Sequence, residues 1–372
     1  MMEDKKMLPE EIILSEIVLN KANHALELID QEETGRMKKH KSKKSYMVQV
    51  AVLACICLLG ISSIGVVAAI RHNWGRGMNG NLQADDTQQQ LLTDDGVAVV
   101  YPEKEDYESL KVVQNGVSIA PNTVIVDDRF AYISFTISGY AVEDGKEPGF
   151  EWVDVNATEC DLYMSGSMYD GILSDENGTP IYEDGTPIQN REDGSIISHY
   201  TDEVGNLEYV IQAFVTDETE RILGKKIKIE FENLGTLYKA GFTHDIDGVW
   251  SFEMTLPDIS SAKYFAINKQ LEGTDFSVDD ALISPVSIKV NYSTTAMPEI
   301  HEDELGVPEI QGVVLKDGTR LPYLTNGGSV GYAGETHAYN IAGYDRVIDV
   351  DMVKSLLISI EPGQEPVAVD IQ

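Results

Sequence analysis

What this chain lacks narrows its reading before anything present does. It has three cysteines in 372 residues, and two of them, Cys55 and Cys57, fall inside one apolar run. Only Cys160 remains, and a lone thiol makes no intramolecular bridge, so the rest of the chain must be held by an apolar core rather than by disulfides. Bases are also scarce, 28 Lys and Arg against 62 Asp and Glu, and the balance is uneven along the chain. Residues 1–70 hold 9 of each sign, so the whole net charge of −34 lies beyond them. Such a surface repels nucleic acid and anionic lipid and favours cations or basic partners.

Catalytic patterns are missing as well. No phosphate-binding loop or dinucleotide fingerprint occurs. The stretch GGSVG, Gly327 to Gly331, places Ser329 as a nominal nucleophile, but that motif works only on a sharp strand-to-helix turn, and a Gly-rich loop between strands is the better reading. HEDEL at His301 has no second histidine four residues on, as a zinc helix requires. DIDG, Asp245 to Gly248, lacks the last carboxylate of a calcium loop and reads as a hairpin turn into the Trp250 strand. No catalytic residue, metal ligand or cofactor is expected.

The long apolar run is present where these are not. From Tyr46 to Ile70 there are 25 consecutive residues without a charge. As a helix they reach about 37 Å, enough for a hydrocarbon core of about 30 Å. A cleaved secretion signal would start near the N-terminus and be shorter, whereas 45 residues precede this run. The run therefore predicts a retained transmembrane helix over 46–70. Lys38, Lys39, Lys41, Lys43 and Lys44 crowd before it, with few bases after it, which orients the N-terminus to the cytoplasm.

Inside, LPEEIILSEIVLNKANHALELID reads as one amphipathic helix that Pro9 can start and Gly35 can stop. Leu14, Val18, Ala22, Ala25 and Ile29 recur at helical spacing, with Leu26 beside them. A stripe with no domain to cover it wants a partner; self-association or contact with the lipid surface would also satisfy it.

Beyond the span, residues 71–108 are rich in Gly, Asn and Gln and predict a flexible stalk open to proteolysis between Asn79 and Asp95. Then the period becomes two. In RFAYISFTISG, Ala131, Ile133, Phe135 and Ile137 share one side; KKIKIEFENL and VWSFEMTLP alternate likewise, and all three read as half-buried antiparallel strands. One short helical candidate remains at Val350 to Leu356. Many short strands without interleaved helices predict a mainly β fold of two immunoglobulin-like sandwiches, over 109–258 and 259–372. The turn-rich stretch 175–193 repeats Gly-Thr-Pro-Ile and concentrates carboxylates, which suits a structured hairpin and leaves calcium binding open.

The order of parts, with NGVSIAPNTVIVDDRFAYISFTISG over Asn115 to Gly139 as its most specific stretch, resembles bacterial membrane proteins carrying domain-of-unknown-function family 4179, described as anti-sigma-factor-like. The resemblance implies a single-pass regulator whose cytoplasmic segment binds a sigma factor and whose outer part senses an envelope signal. It would bind through Leu14, Val18, Ala22, Ala25, Leu26 and Ile29, since residues 1–45 hold no cysteine for a zinc-type anti-sigma domain. The alternative is a surface-displayed binding or adhesion module whose inner residues only orient the span.

Overall fold

The chain beyond the apolar run is mainly β. A computed structural model describes residues 74–217, 219–238, 241–295, 306–360 and 364–371. Two short helices come first, α1 (Arg76–Asn81) and α2 (Asp86–Asp94). The first β body follows: β1 (Ala98–Val100), β2 (Val112–Gln114), β3 (Val117–Val126), β4 (Phe130–Ser138), β5 (Glu147–Ala157), β6 (Leu162–Met168), β7 (Ile172–Ser174), β8 (Pro180–Tyr182), β9 (Leu207–Val215), β10 (Lys226–Tyr238) and β11 (Gly241–Thr255). The strands β1-β3-β4-β9-β6, with β2 on β3, make a six-stranded sheet; β11-β10-β5 make a three-stranded one, and β7 and β8 form a separate hairpin.

The alternation seen in the sequence builds the core between these sheets. Ile133, Phe135 and Ile137 of β4 meet Ile229, Phe231, Trp250 and Phe252 of the smaller sheet. Phe135 and Phe231 pack edge to face with centroids 5.0 Å apart, a favoured aromatic geometry.

The second β body comprises β12 (Lys263–Gln270), β13 (Phe276–Ile283), β14 (Ser287–Thr294), β15 (Glu309–Leu315), β16 (Arg320–Leu321), β17 (Thr325–Tyr332), β18 (His337–Tyr344), β19 (Val353–Ser359) and β20 (Val367–Asp370). Its sheets are β12-β13-β14-β18-β17 and β16-β15-β19-β20. They share a core of Val278, Val290, Tyr292 and Ile341 with Val313, Leu356, Ile358 and Val369.

Four expectations are corrected here. The segment from Trp74 onward is not a loose stalk: Trp74, Met78 and Leu82 are fully buried, and α2 starts on a capping box formed by Asp85 and Gln88. The strand β4 is not half-buried, because Phe130, Tyr132 and Ser134 on its other face are covered too. Phe130 and Tyr132 belong to the same apolar cluster as the second body, so the two bodies share a core. The helical candidate near Val350 is one 3-10 turn, Val350–Met352, running straight into β19. DIDG lies within β11, where Ile246 pairs with Leu234, and the reversal falls between Tyr238 and Gly241.

Among the described residues no helix is long and apolar enough to cross a membrane. The span at 46–70, the amphipathic segment and the basic run lie outside the described residues.

Candidate functional site

The segment 74–94 carries several buried polar contacts, and its glycines explain why. Gly75 has φ +86°, and a Cβ there would lie 2.1 Å from Asn122 Nδ2. A Cβ on Gly80 would lie 2.1 Å from the Tyr169 ring. Small residues are needed at both positions because the backbone runs directly against β3, β9 and the residues after β6.

That close approach places Glu208 of β9 under the start of α1. Its Oε1 accepts the backbone N–H of Met78 at 3.0 Å and an amide hydrogen of Asn122 at 3.2 Å. Burial pushes the Glu208 carboxyl above its ordinary range, while hydrogen bonds from Gly77, Met78, Ser134 and Asn122 partly oppose the shift. Helix α1 thus has a first-turn amide satisfied by a carboxylate from a distant strand rather than by a local cap.

Arg76 fastens the other side of α1. Its Nε lies 2.6 Å from Glu183 Oε1, its Nη1 donates to the Tyr200 carbonyl at 3.1 Å, its Nη2 donates to the His199 carbonyl, and its guanidinium stands 5.1 Å from the Tyr169 ring centroid.

The same segment also reaches the second body. Gln83 donates its N–H to the Asp345 carbonyl at 2.8 Å and accepts from the Val347 N–H at 2.7 Å. Gln88 Nε2 donates to the Val347 carbonyl at 3.1 Å. Residues 74–94 therefore hold both β bodies at once. A polar cleft of about 340 Å³ opens beside them, lined among others by Asn81, Tyr169, Asp170, Tyr200, Asn326 and Asp345. Burial raises the Asp170 and Asp345 carboxyls, with Arg346 opposing the shift at Asp345.

A second buried carboxylate joins the bodies directly. Asp127, in the turn between β3 and β4, accepts the N–H groups of Arg129 and Phe130, both at 2.8 Å, and the hydroxyls of Ser284 and Ser287 across the junction. Burial raises its carboxyl; the two serines partly offset this. Nearby, Tyr132 Oη accepts the Tyr344 N–H and donates to the Tyr344 carbonyl, each at 2.9 Å, beside the backbone bond that the same N–H makes to the Val286 carbonyl at 3.0 Å.

The sequence-predicted partner residues Leu14, Val18, Ala22, Ala25, Leu26 and Ile29, the orienting lysines 38, 39, 41, 43 and 44, and His301 lie outside the described residues. Cys160 is a half-buried free thiol whose pKa burial raises, which lowers its thiolate content. Ser329 lies inside β17 opposite Ile341, on a strand rather than in a loop or a strand-to-helix turn.

The acidic stretch 175–193 is a run of tight turns. Asp175 accepts the N–H groups of Asn177 and Thr179, both at 2.8 Å; Asp184 accepts from Thr186 at 2.9 Å and Asp193 from Ser195 at 3.0 Å. Asp202 continues the pattern with Val204 and Asn206. The four aspartates recur every nine residues, a period hidden in the sequence by the seven-residue return of Gly-Thr-Pro-Ile. Hydrogen bonds from Thr179, Thr186 and Ser195 hold Asp175, Asp184 and Asp193 below the ordinary carboxylate range. These carboxylates serve their own turns. Among the described residues no group of three or more His, Cys, Asp or Glu is placed to hold a metal ion.

No protein-family model matches the chain, and no curated protein matches it. A solved structure, that of the conserved domain protein from Bacillus anthracis, is similar at 16% identity and a TM-score of 0.40, covering 68% of this chain and 78% of that one.

Proposed function

We propose that the chain is a single-pass membrane regulator of the anti-sigma-factor-like kind. Its N-terminus is cytoplasmic, residues 46–70 cross the membrane, and two immunoglobulin-like β-sandwiches lie outside, as the resemblance to family 4179 implies. The cytoplasmic face of Leu14, Val18, Ala22, Ala25, Leu26 and Ile29 binds a sigma factor, and the β bodies sense an envelope signal. The observation that carries this reading is the burial of Trp74, four residues beyond the last residue of the predicted span. With α1 fastened through Glu208 and Arg76, a change in the β bodies has a short, held path to the membrane, which a loose stalk would not provide.

The test is copurification from detergent of the intact chain and of a chain carrying Val18→Asp and Leu26→Asp. The regulator reading expects a sigma factor with the first and its loss with the second. Identical partners in both samples would oppose it.

The exposure of Trp152 on the first β body favours a second reading, a surface-displayed binding module. Deleting residues 1–35 separates the two, since that module would keep its function and the regulator would lose it.

A further inference from the structure

The chain has three tryptophans, and two of them, Trp74 and Trp250, are fully buried. The third, Trp152 on β5, is 62% exposed and makes no ring contact among the described residues. A single exposed apolar side chain needs no explanation. Trp152, however, has a row around it. It pairs across the ladder with Glu232, which pairs with Val249, so the three side chains share one face of the β11-β10-β5 sheet. That face is the outer one, because Ile229 and Phe231 on the same strand point into the core. Val249 is exposed as well, at 44%.

The charges on this face are unevenly matched. In the next two rows stand Asp154, Glu230 and Ser251, then Asn156, Lys228 and Glu253. The face's two lysines are taken: Lys228 pairs with Glu230 at 2.7 Å, and Lys226 with Glu253 at 2.6 Å. Asp154 and Glu232, two residues along and directly across the ladder from Trp152, have no ion pair among the described residues, and Asp154 accepts an amide hydrogen of Asn156. An indole with carboxylates at its edge attracts a cation twice, through the ring quadrupole and through charge.

We infer that the Trp152 face is a docking surface for a basic polypeptide segment, whose lysine or arginine side chains lie over the indole and between Asp154 and Glu232. Charge complementarity selects this occupant. A second copy would bring another acidic β body, and the basic run of this chain, residues 36–44, lies on the other side of the membrane in the topology proposed above. That last exclusion rests on the topology; the binding itself uses only residues of the described body.

The test uses the full chain in a neutral detergent at about 0.15 M salt, where the Debye length is about 8 Å and diffuse attraction is damped. Hexa-arginine amide is titrated in, with an uncharged N-acetylglucosamine hexamer as the neutral probe. Intrinsic fluorescence reports on Trp152, the other two indoles being buried. The expected result is saturable binding of the peptide alone, weakened about 3- to 30-fold by Trp152→Ala. The pair Asp154→Asn with Glu232→Gln should weaken it clearly more than the charge-matched pair Glu192→Gln with Glu203→Gln. Because the fluorophore is lost in Trp152→Ala, its affinity is read by calorimetry. Equal loss in the two charge pairs, binding of the neutral glycan in place of the peptide, or no saturable binding would each overturn the inference.

Discussion

Glu208 accepts the backbone N–H of Met78 at 3.0 Å across 130 positions of sequence, and that bond ties the first described helix to β9 of the six-stranded sheet. Removing the carboxylate leaves buried donors unpaired. Glu208→Ala is expected to destabilise the fold by about 2–4 kcal/mol. It should also speed amide exchange at Gly77 and Met78 more than at Ile133 in the core. Glu208→Gln retains one acceptor oxygen and should have the smaller effect.

Gly80 tests the same contact from the other side. Its missing Cβ would lie 2.1 Å from the Tyr169 ring, so Gly80→Ala is expected to cost about 1–3 kcal/mol, although alanine ordinarily stabilises a helix position. A urea melt of that variant beside Gly194→Ala, where nothing lies within 4 Å but φ is positive, separates crowding from backbone strain.

Tyr132→Phe removes a phenol that bonds both the N–H and the carbonyl of Tyr344, while the N–H keeps its bond to the Val286 carbonyl. The expected loss is about 1–3 kcal/mol. Because Phe130 and Tyr132 share an apolar cluster with the second body, unfolding of wild type and variant should remain one transition when followed by Trp250 burial and by circular dichroism. Two separate transitions in the wild type would show that the bodies fold apart.

The response to acid should differ by region. Asp175, Asp184 and Asp193 have folded pKa values lowered from 3.8, so their contribution is present above that pH and is lost as pH falls through the lower folded values. Glu208 and Asp127 are raised, so their contribution is full below their ordinary pKa values and is lost as pH rises through the folded ones. Exchange measured from pH 7 down to pH 3 should therefore show the turns at 175–195 loosening below about pH 3.8 while the Met78 amide stays protected.

The strands were legible because period two is a local signal: Ala131, Ile133, Phe135 and Ile137 announce one buried face by themselves. The burial of Phe130, Tyr132 and Ser134 opposite them was not, since alternation looks the same whether the second face meets water or another β body. The stretch NWGRGMNG misled for a related reason. Glycine signals looseness in an isolated chain, yet the same missing Cβ permits close approach, and the partners that decide between the two, Asn122, Tyr169 and Glu208, lie far along the sequence. Glu208 itself sits in LEYVIQAFV, where a lone carboxylate in a strand reads as solvent-facing. Near Val350 the spacing fits a helix and a strand equally, and pairing of β19 with β15 decides for the strand.

The most direct test of the account is protease treatment of intact spheroplasts holding the full chain with an epitope at Met1, comparing wild type with Glu208→Ala. The wild type is expected to yield no membrane-retained N-terminal fragment ending between Asn79 and Asp95, Glu208→Ala to yield one readily, and the epitope to survive until the cells are broken. Equal cleavage there in both chains would contradict the fastening of residues 74–94, and loss of the epitope from intact cells would contradict the orientation.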